Sequence, residues 1–240
     1  MYNYPEKLVR GKFIKRYKRF LADMELEDGS VITAHCTNTG SLKSCLIPDA
    51  DVLLSPVNDP NRKTRFTWES IKINGIWVGV NTLVPNKLVY RALKRKLLPG
   101  FEYFEKIKPE VKFAGSRFDL YLESDGQKMF VEVKNVTYKE GRYALFPDAP
   151  TQRGLKHLEE LMQAVQNGYR AAMFFVVPRR DAEIFAPAKH IHPEYADMLK
   201  KACESGVEIY PWLVQYDEKG AAITGKMDVD LNPRINPPVE

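Results

Sequence analysis

The sequence predicts an α+β fold in two parts, a small β-barrel followed by an α/β domain on a mixed sheet, and three observations predict it. The first 80 or so residues read as short strands without a helical stretch, helical and strand-like segments alternate from Pro85 onward, and the 240-residue length suits one large domain or two small ones. Hydrophobic residues at 44% and charged residues at 28% give the chain enough apolar surface for a core and exclude intrinsic disorder. No window approaches the run of about 18 apolar residues that a membrane span needs. Met1 to Lys18 lacks an apolar stretch with a small-residue cleavage site, so the expectation is a cytoplasmic protein with no membrane partner.

In chain order, Phe13–Glu27 and Val31–His35 flank Asp28-Gly29, a strong hairpin signal. Val52–Val57, Thr67–Ile73 and Ile76–Thr82 are rich in β-branched and aromatic residues. About five strands without a helix suggest a barrel of oligonucleotide-binding (OB) type over residues 1–83. In residues 84–240 a helix is expected over Asn86–Leu98, with Leu88, Ala92, Leu93 and Leu97 on its inner face and Pro99-Gly100 ending it. Strands follow at Val111–Phe113, Arg117–Leu122, Met129–Val136 and Arg142–Phe146. A second helix opens at Pro150-Thr151 with Thr151 as N-cap. Then come the apolar strand Ala171–Val177, a helix over Glu194–Glu204 and a strand over Val207–Tyr216. The proline-rich tail from Asn232, with Pro233, Pro237 and Pro238, reads as a loop.

The three cysteines, Cys36, Cys45 and Cys203, have neither disulfide nor zinc-site spacing and read as buried small hydrophobes. The net charge of +5 is unevenly spread. Lys7, Arg10, Lys12, Lys15, Arg16, Lys18 and Arg19 form a run without an acid, interleaved with Phe13, Tyr17 and Phe20. Lys87, Arg91, Lys94, Arg95 and Lys96 form a second group on the first helix. Such clusters suit a polyanion, with DNA or another nucleic acid as partner. A solvated strand face is the alternative.

The chemistry concentrates between Arg117 and Val136. With Asp125-Gly126 as a two-residue turn, Phe118, Leu120 and Leu122 face Val133, Val131 and Met129 on one apolar side. Arg117, Asp119 and Tyr121 then face Lys134, Glu132 and Phe130 on the other, which sets Asp119 opposite Glu132. Like charges so placed are destabilising, and charges inside an apolar strand need partners. A divalent cation such as Mg²⁺ or Mn²⁺ between Asp119 and Glu132, with the Val133 carbonyl as a further ligand, answers both problems. Lys134 would then orient or help deprotonate the attacking water. An ion-pair network of Asp119 and Glu132 with Lys134 and Arg117 is the competing reading.

An Asp, a turn and then Glu-Val-Lys in an apolar strand resembles the core of the PD-(D/E)XK nuclease superfamily. A longer match runs through His35-Cys36-Thr37-Asn38-Thr39-Gly40, Ser116-Arg117-Phe118-Asp119, Glu132-Val133-Lys134-Asn135-Val136-Thr137, Leu145-Phe146-Pro147-Asp148-Ala149-Pro150-Thr151, Arg153-Gly154 and Lys156-His157-Leu158. In that order the chain closely resembles the sugar fermentation stimulation protein A family from about Arg10 to Tyr216. The resemblance implies an OB-type barrel, a PD-(D/E)XK nuclease-like domain, non-specific DNA binding and a regulatory link to sugar (maltose) utilisation. Asn86-Lys87-Leu88-Val89-Tyr90-Arg91-Ala92-Leu93 departs from the family's pattern by placing Arg91 where relatives resemble one another in having a Glu, which puts a second metal in doubt; Glu110 is a substitute ligand.

His35, Asn38 and Thr39 read as a phosphate-contacting loop or as a polar turn. Arg153, Lys156 and His157 open the second helix, where backbone N–H groups favour anions, or else are surface charges. Asp148 reads as a turn residue. Three functions fit: a metal-dependent nuclease with Asp119, Glu132 and Lys134 as catalytic residues, a non-catalytic DNA-binding regulator, or a hydrolase of small phosphorylated compounds that would not need the Lys7–Arg19 run.

Overall fold

The computed structural model describes residues 1–235, so Pro237 and Pro238 lie outside the described residues. Strand β1 (Tyr2–Asn3) is followed by β2 (Val9–Tyr17), β3 (Leu21–Leu26), β4 (Val31–His35), β5 (Asp51–Pro56), β6 (Phe66–Ile73) and β7 (Ile76–Gly79), with a 3₁₀ turn at Lys43–Cys45. Strand β2 pairs with β3 and β5, β3 with β4, and β5 with β6. The single pair His35–Thr67 joins β4 to β6 and closes a five-stranded barrel. Its inward side chains, among them Met24, Val52, Leu54 and Ile71, pack around Phe13, which stacks on Trp68 at 5.2 Å between ring centroids.

The strand expected over Phe13–Glu27 is two strands. The chain reverses at Lys18 and Arg19, whose φ of 50° and 61° lie in the left-handed region. Neither residue type announces that conformation, which usually calls on Gly or Asn. The Asp28-Gly29 turn forms as expected, with Gly29 at φ 81° and the Asp28 carboxylate accepting the Ser30 N–H at 2.9 Å.

The second part comprises α1 (Leu83–Lys94), β8 (Lys106–Phe113), β9 (Ser116–Ser124), β10 (Gln127–Asn135), β11 (Tyr138–Glu140), β12 (Tyr143–Phe146), α2 (Gln152–Gln166), β13 (Arg170–Val177), β14 (Ile184–Pro187), α3 (Pro193–Glu204), β15 (Glu208–Tyr216), β16 (Gly220–Lys226) and β17 (Asp228–Val229). Strands β8, β9 and β10 are antiparallel, and β10, β13 and β15 are parallel. This is the mixed sheet the sequence predicts. One sheet face packs on α1 through Leu88, Val89 and Leu93, the other on α2 and α3 through Leu158, Leu161, Tyr195 and Leu199. A smaller sheet orders β11-β12-β14-β17.

Barrel and sheet are continuous, because Trp77 of β7 pairs with Tyr216 of β15. Gly79 makes that approach possible: a Cβ there would fall 2.3 Å from the Tyr216 ring. Asn135 reinforces the junction by donating to the Gly79 carbonyl at 2.9 Å.

Several elements differ from expectation. Helix α1 begins at Leu83, three residues early, with Pro85 tolerated in its first turn. It ends before Leu97, because Lys96 turns left-handed at φ 55° and the N–H groups of Lys96 and Leu97 return to the carbonyls of Leu93 and Ala92. Leu97 is therefore exposed rather than on the inner face. Cys203 is exposed on α3, while Cys36 and Cys45 are buried as expected. The segment Arg142–Phe146 is half of a hairpin, and β1, β14, β16 and β17 are additional strands. No helix among the described residues is long and apolar enough to cross a membrane.

Candidate metal and phosphate site

The Asp125-Gly126 turn sets the β9–β10 register as expected, from Ser124–Gln127 to Leu120–Val131. Beyond that pair the ladder stops. The next backbone donor, the Val133 N–H, is taken by the Asp119 carboxylate at 2.7 Å. On the far side, Glu110 sits left-handed (φ 57°) between the Pro109–Leu120 and Val111–Phe118 pairs. Phe118 itself lies on the α2 face against Phe130 instead of sharing a side with Leu120 and Leu122. Asp119 is thus not a ladder partner of Glu132. It is a carboxylate aimed at the strand edge that Glu132 and Val133 occupy.

That edge opens into a cleft of about 750 Å³ between barrel and sheet. Its floor holds Asn86, Asp119, Glu132, Val133 and Lys134; Arg19 and Thr37–Gly40 wall one side, and Phe146–Thr151 with Arg153 the other. The walls are tied down. The Arg16 guanidinium donates to the carbonyls of Arg19 (2.9 and 3.1 Å), Asn38 (2.8 Å) and Ser41 (3.2 Å). Asp148 of the opposite wall accepts the Leu42 N–H at 3.0 Å. Gly40 permits this contact, since a Cβ would sit 2.2 Å from the Asp148 carboxylate.

The two acids have unequal company. Glu132 is buried, and its Oε1 accepts from Lys134 Nζ at 2.6 Å and from the imidazole Nδ1 of buried His157. Burial opposes its charge, yet the Lys134 ammonium and the His157 hydrogen bond outweigh it and hold the carboxyl below its usual range. Its Oε2 is buried and has no hydrogen-bond partner among the described residues. Asp119 has only neutral donors, the Val133 N–H and Asn86 Nδ2 at 2.6 Å. Burial, and then the neighbouring Glu132 charge, push its carboxyl up to about 6.

Asp119, Glu132, Val133 and Lys134 therefore share one edge, and His157 stands behind Glu132 with Arg153 Nε 3.3 Å from its Nε2. Arg153, Asn38, Thr39 and Arg19 line the cleft. Other expected residues lie elsewhere. Glu110 is an exposed partner of Arg117 at 3.5 Å, so neither reaches the cleft. Lys156 turns to Glu160 (3.8 Å) and the Gly115 carbonyl (3.2 Å). His35 lines a separate hollow. The predicted basic track along β2 is largely neutralised: Arg10 pairs with Glu218, Lys12 with Asp51 at 2.5 Å, Lys15 with Asp23 at 3.8 Å, and Arg16 is occupied by carbonyls. Lys7 and Lys18 are exposed and do not line the cleft. Arg91 lies over the Tyr2 ring at 5.0 Å, away from the carboxylates, and the α1 residue that meets them is Asn86.

Asn86 is a site residue that sequence reasoning did not single out, and Asp148, expected as a turn residue, bonds across the cleft instead. Asn86 carries a readable signal, a polar side chain between the buried Pro85 and Leu88. Asp148 carries none, because its partner lies 106 positions away. Among the described residues no three or more His, Cys, Asp or Glu side chains cluster to hold a metal. A cation here would rest on two carboxylates and a backbone carbonyl. The Val133 carbonyl points to the same strand edge as its N–H, toward Asp119. The unpartnered Oε2 of Glu132 fits such an ion, and an all-oxygen set suits a hard divalent cation.

Residues 83–220 match the family model described as the sugar fermentation stimulation protein RE domain, and residues 14–80 the one described as the SfsA N-terminal OB domain. A sugar fermentation stimulation protein homolog of Geotalea uraniireducens is 48% identical over 95% of this chain and 99% of its own length. One of Pelobacter propionicus is 49% identical over 84% of this chain and 88% of its own. The structure of Pyrococcus furiosus SfsA in complex with Ca²⁺ superposes with a TM-score of 0.87 at 29% identity, covering 95% of this chain and 98% of that one.

Proposed function

The chain belongs to the sugar fermentation stimulation protein (SfsA) family, and on that premise we propose that it binds DNA and cleaves phosphodiester bonds at a divalent-metal site held by Asp119, Glu132 and the Val133 carbonyl. The observation that carries this reading is the buried Glu132 Oε2, without a hydrogen-bond partner beside the raised Asp119 carboxyl. Buried carboxylate oxygens are ordinarily satisfied, and an unsatisfied one costs about 1–3 kcal/mol or more. The Pyrococcus furiosus relative in complex with Ca²⁺ supports divalent binding; Mg²⁺ or Mn²⁺ is the proposed working ion.

Bound there, the ion would supply charge neutralisation at the phosphoryl oxygens and acidify water. The chain's own residues do the rest. The Asn86 amide and the Val133 N–H fix the Asp119 carboxylate, and His157 fixes that of Glu132. Lys134, anchored at 2.6 Å from Glu132, orients the attacking water and faces the charge that develops on phosphate. Arg153 and the N-terminus of α2 on one wall, and Arg19 on the other, hold the phosphodiester.

A second reading, a non-catalytic regulator that binds DNA largely without sequence preference, is favoured by the absence of a third side-chain ligand among the described residues. Incubation of DNA with Mg²⁺ or Mn²⁺ and wild type, Glu132→Gln or Asp119→Asn separates the two. Cleavage lost in both variants is expected; cleavage equal in all three, or absent in wild type, refutes the nuclease.

A further inference from the structure

A second hollow, of about 490 Å³, lies over the barrel and shares Thr37 with the carboxylate cleft. Arg62 and Lys63, from the β5–β6 loop, line it and have no acidic partner within ion-pair distance among the described residues. The β2–β3 turn next to it offers Lys18 and Arg19, equally without an acid. The cations of β2 itself are by contrast paired with Glu218, Asp51 and Asp23. Glu69, the acid of the hollow, is buried on its floor and bonded to Ser55 Oγ (2.6 Å) and Asn81 Nδ2 (2.9 Å).

Apolar groups accompany the charge. Of the twelve phenylalanines Phe20 alone is exposed, at 49%, at the tip of the β2–β3 turn. Its carbonyl accepts the Cys36 N–H at 2.7 Å, which holds its backbone next to Leu21 and His35, two residues that line the hollow. Leu83, 57% exposed, lines the hollow. Duplex DNA presents phosphates and keeps its base faces stacked, so an exposed aromatic group between cations meets a base face there only at the cost of unstacking a step. A single strand offers unstacked bases together with phosphates. The loops joining the first to the second and the fourth to the fifth strands are also the ones through which OB-type barrels take oligonucleotides.

We propose that the hollow lined by Arg62, Lys63 and Leu83, with Phe20 at its rim, binds single-stranded DNA and leads it past Thr37 to Asp119 and Glu132. The proposal deepens the DNA-cleavage reading and rests on it for the identity of the polymer. Phe20 stacks on a base, and Arg62, Lys63 and Arg19 follow the phosphates.

The test measures fluorescence anisotropy of a labelled oligothymidylate and of a labelled duplex with the full chain in EDTA. Phe20→Ala is expected to weaken single-strand binding about five- to hundredfold, the range for losing one stacked base. The pair Arg62→Ala and Lys63→Ala should lower the slope of log affinity against log salt by about 1.4, at about 0.7 per phosphate contact. The pair Lys12→Ala and Lys15→Ala should leave affinity within about twofold. All exchanged side chains are on the surface, and unchanged melting midpoints verify folding. Wild-type affinity in the Phe20 variant and in the Arg62/Lys63 variant, or a duplex bound as tightly as the single strand, overturns the proposal. Loss of single-strand affinity in the groove variants supports the groove even where wild type cleaves nothing, a result that would sink the nuclease reading alone.

Discussion

Replacing Asp119 by Asn tests the two-carboxylate edge without requiring catalysis. In the metal-free protein Asp119 accepts only neutral hydrogen bonds, while Lys134 and His157 both serve Glu132. Arg117, the other candidate counter-ion, is engaged with Glu110. A carboxyl raised from 3.8 to about 6 by burial and then by the Glu132 charge costs about 3 kcal/mol as an anion at neutral pH, at about 1.4 kcal/mol per pH unit. Solvent reaches the cleft, so about 2 kcal/mol is the working figure. Asp119→Asn keeps the shape, with Asn86 free to rotate its amide oxygen toward the new donor, and should be more stable by that amount in EDTA at pH 7. For a chain of this size the midpoint should rise by about 4–8 °C. A raised carboxyl binds its proton more tightly in the folded state, so wild type loses stability as pH climbs from about 4 through 6. The advantage of the variant should therefore vanish below about pH 4. Mg²⁺ or Mn²⁺ at ten times its dissociation constant should stabilise wild type alone by about 1.4 kcal/mol. Melting curves of both proteins at matched ionic strength measure all of this. A variant less stable than wild type in EDTA, together with no metal-dependent shift in wild type, would refute the metal edge and favour a structural ion-pair network.

Three further outcomes follow from the same geometry. Lys134→Ala should slow cleavage by about 10²- to 10⁴-fold while calorimetry still detects divalent binding, because Lys134 touches Glu132 Oε1 and leaves Oε2 to the ion. Metal affinity measured by titration should fall about tenfold per pH unit below about 6, where Asp119 takes up its proton, and stay flat above it; a flat profile down to pH 5 excludes Asp119 as a ligand. Gly79→Ala should destabilise the protein by about 2 kcal/mol or more in denaturant titrations, since the new methyl meets the buried Tyr216 ring.

Local chemistry made much of this readable. Asp125-Gly126 dictates the hairpin register, and Thr151 caps α2 by accepting the Gly154 N–H at 3.0 Å. Residues without a conformational signature hid the rest. Lys18, Arg19 and Lys96 all adopt positive φ, and each moved an expected boundary: the β2–β3 reversal and the end of α1. The basic run was legible as composition but not as surface, because what neutralises Arg10 is Glu218, 208 positions away. The carboxylates were visible as a pair, whereas their unequal protonation depends on Asn86, Lys134 and His157 arriving from three separate elements.

The pairing of β7 with β15 has a consequence for what the molecule would produce. A hinge between barrel and sheet would let the grip on a polymer wander relative to the carboxylates, and fragment ends would scatter. Here the Trp77–Tyr216 pair, the Asn135–Gly79 bond and the Asp148–Leu42 bond join the two parts without a linker. These contacts would make the molecule a ruler under the proposed function: with the interval between Phe20 and the edge at Asp119 and Glu132 held by strand pairing and side-chain hydrogen bonds, a strand gripped at one mark would be presented at the other with a set offset in nucleotides.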